Sequence, residues 1–375
     1  MRVGVNTRFL LADRLEGIGV YTKEIVLRLV RNNPDVEFVF FFDRPYDKQF
    51  VFGENVTPVV VSPPARHPFL WKLWFDGSLP FFLKKYEVDV FFSPDSYVSL
   101  GTDIPQLVTI HDLAFEHFPE GIGWLKRKYY QYYMPRFANK ASHIFAVSEY
   151  TKSDLCQSYG VDKTKVSVSY NGADVDKFKP VGDVITSELK NKYSSGCDYF
   201  LYVGAQHPRK NIVNLLLAFQ EFKRKSSCLT KLILVGREAW GNQEMELVYE
   251  SHEFRDDIIF TGRVSDKELV GLYSAAVALT YIPFFEGFGI PIIEAHASGT
   301  CVITSNVSSM PEVLGDGGLA VDPNNVQQIA DAMISLNSDV PLRKSYEVAG
   351  FINVKRFSWD TSAELIMAQL RKYMR

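Results

Sequence analysis

Cysteine is scarce in this chain of 375 residues, and the four present, Cys156, Cys197, Cys228 and Cys301, fall in no CxxC or other metal-like spacing. That excludes a disulfide scaffold and a cysteine-built metal site, and it predicts a reducing cytoplasm. Charge of one sign is also lacking. The 41 basic and 44 acidic residues leave a formal net charge of −3, and the basic residues are scattered rather than gathered in a tail, so a nucleic-acid partner is not expected. No apolar run approaches the ~20 residues of a membrane span. Met1-Arg2-Val3-Gly4-Val5 enters a strand-like run directly, without the pattern of a signal peptide. There is no repeat of fixed short period and no low-complexity tract. What remains is an ordinary globular composition, 46% hydrophobic and 23% charged, in a chain long enough for two cores.

Short apolar strand-like runs alternate with longer helical patterns, the mark of a parallel α/β architecture. Strands are expected near 2–5, 36–41, 59–61, 88–91, 106–110, 143–147 and 166–168 in the first half, with a first helix near 20–31. In the second half they are expected near 199–203, 231–235, 258–261, 276–281, 301–304 and 319–321. Two similar-sized sheets follow. Their join is expected beyond Tyr170-Asn171-Gly172, in the polar stretch 176–197 that holds Pro180, Gly182, Ser194, Ser195 and Gly196. The domain assignment is therefore 1–175, 176–357 and a closing helix over 358–375, with Ser358 as cap and Ala363, Ile366, Met367 and Leu370 at helical spacing. A cleft between two such domains is the expected ligand site, because open α/β sheets bind at the carboxyl ends of their strands.

The richest segment runs from Phe285-Glu286-Gly287-Phe288-Gly289 through Ile290-Pro291-Ile292-Ile293-Glu294, following the strand-like run 276–281. Pro291 suits the start of a helix, so the segment reads as strand, glycine loop, helix. The glycines admit close approach of a ligand, and the helix start favours a phosphate. The carboxylates of Glu286 and Glu294 cannot bind that phosphate; their natural work is to accept hydrogen bonds from vicinal hydroxyls. The alternative is a glycine-rich turn with two solvated glutamates.

Other segments carry weaker signals. Gly17-Ile18-Gly19 sits between the first strand and first helix, where backbone N–H groups would meet a phosphate; it lacks the third glycine of the dinucleotide fingerprint, which disfavours a dehydrogenase. His111 ends a strand-like run and would project from the carboxyl edge of the sheet, unless neighbouring backbone simply satisfies it. His67, His117 and His143 are read as structural. Arg209 and Lys210 open the helix bearing Leu215, Leu216 and Phe219, and two cations there oppose the helix dipole unless an anion is bound. Thr261-Gly262-Arg263-Val264 is another strand end whose backbone would read a base edge, or an ordinary loop. The aromatic cluster 69–75 and the basic-aromatic run Lys126-Arg127-Lys128-Tyr129-Tyr130 read as buried core, an acceptor groove or a membrane-surface patch.

Taken in order, Gly17-Ile18-Gly19, His111, Arg209-Lys210, Thr261-Gly262-Arg263 and Glu286-x7-Glu294 resemble the retaining family-4 glycosyltransferases of GT-B fold. Ala146-Val147-Ser148-Glu149-Tyr150-Thr151-Lys152 and Tyr170-Asn171-Gly172-Ala173-Asp174 add to the resemblance, which covers nearly the whole chain. It implies an α/β fold of two Rossmann-like, doubly wound parallel-sheet domains facing a central cleft, the acceptor held by the first and the nucleotide sugar by the second. It further implies Lys210 and Arg209 on the donor diphosphate, with Gly19 approaching it by its backbone, and Glu294 on the ribose. Glu286 would face the donor sugar, the amides of Phe288, Gly289 and Ile290 would meet sugar hydroxyls or phosphate, His111 the sugar's far edge, and the Val264 backbone the base. One departure stands out. Many members carry an arginine where this chain has Ala205, and Arg209 is the expected replacement.

The runs 199–204, 208–211 and 284–289 look most like bacterial mannosyltransferases of surface-polysaccharide assembly, which implies GDP-mannose, with a UDP-hexose the alternative donor. The acceptor implied is a glycan or lipid-linked glycan at the inner face of the plasma membrane, with peripheral membrane contact by a cytoplasmic protein. No cofactor or metal is expected, since no DxD-type cluster accompanies the glycine-loop segment. Competing readings are a sugar-nucleotide epimerase, a cofactor-bearing phosphorylase and a non-catalytic sugar-binding protein.

Overall fold

A computed structural model describes residues 2–12, 15–237 and 243–373. Two compact units emerge: Met1–Asn171 with Ser358–Arg375, and Gly172–Phe357. Each is built on one sheet whose strands are all parallel.

In the first unit the strands are β1 (Arg2–Asn6), β2 (Glu37–Phe42), β3 (Val56–Val60), β4 (Val90–Ser93), β5 (Gln106–Ile110), β6 (His143–Ala146) and β7 (Val166–Val168). They lie in the order β3-β2-β1-β4-β5-β6-β7. Parallel strands covered on both faces need apolar residues throughout, and the runs Phe38 to Phe42 and Val90 to Phe92 are fully buried accordingly. The helix Ile18–Asn32 buries Tyr21, Ile25, Val26, Leu29 and Val30, one face at helical spacing, and stops at Asn33, which precedes Pro34. Pro58, which cannot donate to a ladder, is tolerated because β3 is an edge strand paired only with β2. Strand β4 begins two residues later than the expected 88. Val88 N instead donates to Leu83 O and closes the preceding helix, with Glu87 in the left-handed region at φ 50°.

The second unit holds β8 (Tyr199–Val203), β9 (Lys231–Val235), β10 (Ile258–Gly262), β11 (Ala278–Tyr281), β12 (Val302–Ser305) and β13 (Gly318–Val321), ordered β10-β9-β8-β11-β12-β13. The strand order reverses between β1 and β4 in one sheet and between β8 and β11 in the other, so each sheet has one topological switch point. Within the polar stretch 176–197 the segment Asp183–Ser194 is a helix whose Leu189 packs so closely on Gly271 that a Cβ there would lie 2.2 Å from Leu189 Cδ1.

The helix Trp359–Arg371 belongs to the first unit. Ser358 caps it, accepting from Asp360 N and Thr361 N, and it buries Trp359, Ala363, Ile366, Met367 and Leu370. It lies on Ile18–Asn32, where Trp359 meets Tyr21 edge to face at 5.8 Å and Arg28 Nε donates to Asp360 Oδ1 at 2.8 Å.

Candidate functional site

The loops leaving β8 and β11 flank the switch point of the second sheet, and the candidates Arg209, Lys210, Glu286, Phe288 and Gly289 lie on them. After β8 the chain passes Gly204 (φ 153°), whose carbonyl lies so near Gly236 (φ 144°) that a Cβ on Gly236 would sit 1.9 Å from it. Only glycine permits this approach of two loops. A 3-10 turn, Pro208–Lys210, follows; His207 Nδ1 caps it by accepting from Arg209 N at 3.2 Å, and Asn211 (φ 61°) starts the helix Ile212–Ser226. After β11 the loop reaches Gly289 (φ 96°), which caps the helix Ile290–Ala297 with Pro291 in its first turn. Phe284 N donates to Arg209 O at 3.0 Å and ties the two loops together.

Their junction is a charge cluster. Arg209 Nη1 donates to Glu286 Oε1 at 2.6 Å and also to Phe285 O; Lys210 Nζ touches the same Oε1 and donates to the Tyr281 hydroxyl. The Glu286 side chain is 12% exposed, those of Arg209 and Lys210 19% and 16%. Burial opposes ionisation of Glu286, but the charges of Lys210 and Arg209 prevail and hold its carboxyl below the usual range. The Glu286 backbone is pinned on both sides, its N–H to Ser308 Oγ at 3.2 Å and its carbonyl to Ser309 Oγ at 2.9 Å. The conflict between two cations and a helix start is thus met inside the chain: a carboxylate supplies the anion, and one net positive charge is left.

Glu294 lies one turn into its helix and accepts from Tyr273 Oη at 2.8 Å. Burial pushes its pKa up to about 7, against the opposing pull of the Tyr273 hydrogen bond and Lys177. Lys177 is paired with Asp266 at 2.8 Å, at the start of the helix Asp266–Ala275, and Ser265 and Glu268 close a capping box there. Val264 sits half-buried just before that cap, after Gly262 (φ 68°). Phe288 points its ring into the core, 3% exposed and edge to face with Phe357 at 5.4 Å, so a ligand would meet its backbone only.

The remaining candidates stand in the first unit. His111 Nε2 is 2.7 Å from Pro94 O. A carbonyl only accepts, so Nε2 carries the proton and Nδ1 is left as acceptor; burial lowers the pKa and favours the neutral ring. Tyr21 packs on it edge to face at 4.8 Å. Gly19 is buried, its N–H donates to Glu16 O at 2.7 Å, and a Cβ there would lie 2.8 Å from Phe9 O. The close approach Gly19 permits in this structure is to the chain's own backbone. At the switch point of this sheet Arg8 Nε meets Asp95 Oδ2 at 2.5 Å and Asn6 Nδ2 donates to Asp95 Oδ1 at 2.7 Å.

Sequence reasoning missed Tyr281, Tyr273, the Ser308–Ser309 pair and the Arg8–Asp95 network. Tyr281 alone had a signal, as the last residue of a strand at a switch point. Ala205 O accepts from Tyr202 Oη at 3.1 Å and from His207 N at 2.9 Å. Among the described residues no group of three or more His, Cys, Asp and Glu is placed to hold a metal ion.

Two parallel-sheet α/β units, with a polar cluster at the carboxyl edge of the second, define a protein of GT-B architecture. Residues 15–177 match the Glycosyltransferase Family 4 model and residues 187–351 the model of Glycosyl transferases group 1, and the chain belongs to these glycosyltransferases. It is 28% identical over 357 residues to the O-antigen chain mannosyltransferase B of Escherichia coli, covering 92% of this chain and 93% of that one. It is 32% identical over 245 residues to the O-antigen chain mannosyltransferase RfbU of Salmonella typhimurium, covering 63% and 64%. Among solved structures, the sucrose-phosphate synthase of Thermosynechococcus elongatus superposes with a TM-score of 0.80 at 19% identity, over 99% of this chain and 98% of that one. Anabaena HepE in complex with UDP-glucose superposes at 0.75 and 18% identity, over 99% and 100%. At these identities the structural likeness concerns the fold alone.

Proposed function

We propose that this glycosyltransferase moves mannose from GDP-mannose to a glycan or lipid-linked acceptor during surface-polysaccharide assembly, with retention at the anomeric carbon and without a metal ion. The observation that carries this reading is the Arg209–Lys210–Glu286 cluster at the β8/β11 switch point, a half-buried double cation beside a helix N-terminus. In the reaction the anomeric C–O bond breaks, its electron pair passes to the diphosphate oxygen, and the acceptor hydroxyl bonds to the same face while its proton goes to the departing diphosphate. Stabilising the charge on that leaving group is the main task. Lys210 and Arg209, the latter in place of an arginine at Ala205, supply it together with the amides around Gly289 and Ile290. Glu286 leaves the cations for the sugar hydroxyls once a diphosphate occupies them. Glu294 accepts from the ribose and the Val264 backbone meets the base.

The mannosyl donor is favoured by the similarity to two O-antigen mannosyltransferases. A UDP-hexose is the second reading, favoured by the likeness to HepE, which was solved with UDP and glucose and with UDP-glucose. A thermal-shift panel of GDP, GDP-mannose, UDP and UDP-glucose separates them, since a ligand of the folded state alone raises its apparent stability. A shift with the guanine compounds and none with the uracil compounds supports the first; the reverse supports the second. Product stereochemistry by proton NMR tests retention.

A further inference from the structure

The geometry points to Tyr281 as a positioning residue of the donor site: its phenol holds the Lys210 ammonium in place while Glu286 leaves the cations for the sugar. This rests on the reading of the Arg209–Lys210–Glu286 cluster as a diphosphate site and deepens it.

A strand in the middle of a parallel sheet is covered on both faces and ordinarily takes aliphatic residues. Strand β11 lies between β8 and β12, yet it ends on a tyrosine that is 1% exposed. A hydroxyl taken out of water must find a partner or destabilise the fold. The partner here belongs to the charge cluster. Tyr281 Oη accepts from Lys210 Nζ at 2.5 Å, and the same ammonium lies 5.0 Å from the centre of the Tyr281 ring. Burial first, and the Glu286 carboxylate next, push the phenol's pKa well above its ordinary value, so the hydroxyl stays a neutral acceptor for the ammonium.

The phenol is also the member of the cluster that the sheet holds still. Arg209 and Lys210 stand on a 3-10 turn and Glu286 in a loop. Tyr281 pairs in register with Thr304 of β12, its carbonyl accepts from Thr304 Oγ1 at 2.6 Å, and its ring stacks on Tyr202 of β8 at 6.2 Å and 28°. The Tyr202 hydroxyl serves another group, donating to Ala205 O at 3.1 Å. When a diphosphate displaces Glu286, Lys210 changes one anion for another while Tyr281 stays where the sheet keeps it. Its hydroxyl is therefore a contact shared by both states. A long lysine stem is costly to order, and a contact already made in the free chain removes part of that cost from binding.

The test is a double-mutant cycle read by calorimetric titration with inorganic pyrophosphate, on the full chain as parent, Tyr281→Phe, Lys210→Ala and both together. Phenylalanine keeps the ring and its stack and removes only the hydroxyl. Tyr281→Phe should weaken pyrophosphate binding about 10-fold, the lower end of what a hydrogen bond to a charged group contributes. In the Lys210→Ala background the same change should add less than about twofold, because the hydroxyl then has no ammonium to hold. In spectra of lysine-labelled protein saturated with pyrophosphate, the Lys210 Cε resonance, identified by its loss in Lys210→Ala, should be a single line in the parent and broadened or split in Tyr281→Phe. A Tyr281→Phe protein that melts lower but binds pyrophosphate as the parent does would overturn the proposal and leave the hydroxyl a packing feature. Equal losses in the two backgrounds would overturn it as well, because the phenol would then act on the anion directly. A parent that binds neither pyrophosphate nor a nucleoside diphosphate would end the diphosphate reading and this proposal with it, a failure seen in the parent and not in the cycle.

Discussion

Glu286 Oε1 lies 2.6 Å from Arg209 Nη1 and is shared with the ammonium of Lys210, so a single carboxylate answers two cations that a diphosphate would otherwise claim. Glu286 is a counterion within the chain, and on the proposed reading it is also a competitor of the diphosphate. Replacing it with glutamine removes the competitor and leaves two cations with a neutral neighbour. Glu286→Gln is expected to bind nucleoside diphosphate at least as tightly as the parent, to lose on the order of 2 kcal/mol of stability without ligand, and to turn over at least 100-fold more slowly. Calorimetric titration and initial rates check this. Weaker diphosphate binding in the variant would mean that Glu286 orders the cations rather than competing for them.

Lys210 is held by Glu286 and Tyr281, both in the second unit, and its side chain is 16% exposed. A charged hydrogen bond of this kind contributes about 1.5–3 kcal/mol. Lys210→Ala should therefore weaken nucleoside diphosphate binding about 10- to 100-fold while leaving the affinity for the free nucleoside unchanged. Equal losses for both ligands would point to a distorted site rather than a lost phosphate contact.

Much of this was legible in the residues. Strands buried on both faces must be apolar throughout, and all thirteen expected segments are strands with ends moved by a few residues. Arg209 and Lys210 were conspicuous because cations at a helix start break a local rule. Their partner was not, because Glu286 stands 77 residues from Arg209 and meets it only after the chain has threaded three more strands. Tyr273 and Glu294, 21 residues apart, and Arg8 and Asp95, 87 apart, are further pairs that only the fold brings together. Gly19 had a signal in its place before a helix, but that a Cβ there would lie 2.8 Å from the carbonyl of Phe9 depends on how the preceding loop folds back.

Glu294 makes the pH dependence specific. Its folded pKa, about 7, stands above its ordinary value of 4.5, so between those values the folded state binds more protons than the unfolded one. Stability therefore falls as pH rises through that window and levels off above about 7. Binding should run the other way, because ribose hydroxyls donate best to an ionised carboxylate. Nucleotide affinity is expected to rise severalfold from about pH 6 to about pH 8, and Glu294→Gln is expected to abolish the rise near neutrality and to weaken binding overall. Titrations across that range read both effects. A slope retained in the glutamine variant would assign it to another group.

Gly289 isolates the contribution of the helix start. At φ 96° it occupies a conformation costly to other residues, and a Cβ there would approach Met310 Cε to 2.7 Å, with Met310 fully buried. Gly289→Ala must therefore bear backbone strain and displace a packed side chain, on the order of 1–3 kcal/mol together. Relief by turning the loop would re-aim the amides at the start of Ile290–Ala297, so the loss should appear in diphosphate affinity as well as in the melting midpoint. Gly182 serves as control: it precedes the helix Asp183–Ser194 at φ −69° with nothing within 4 Å of a built Cβ. Gly182→Ala is expected to change stability by less than about 1 kcal/mol and affinity not at all. A Gly289→Ala protein that melts lower but binds diphosphate as the parent does would remove the amides at this helix start from the binding site and leave the phosphate to Arg209 and Lys210 alone.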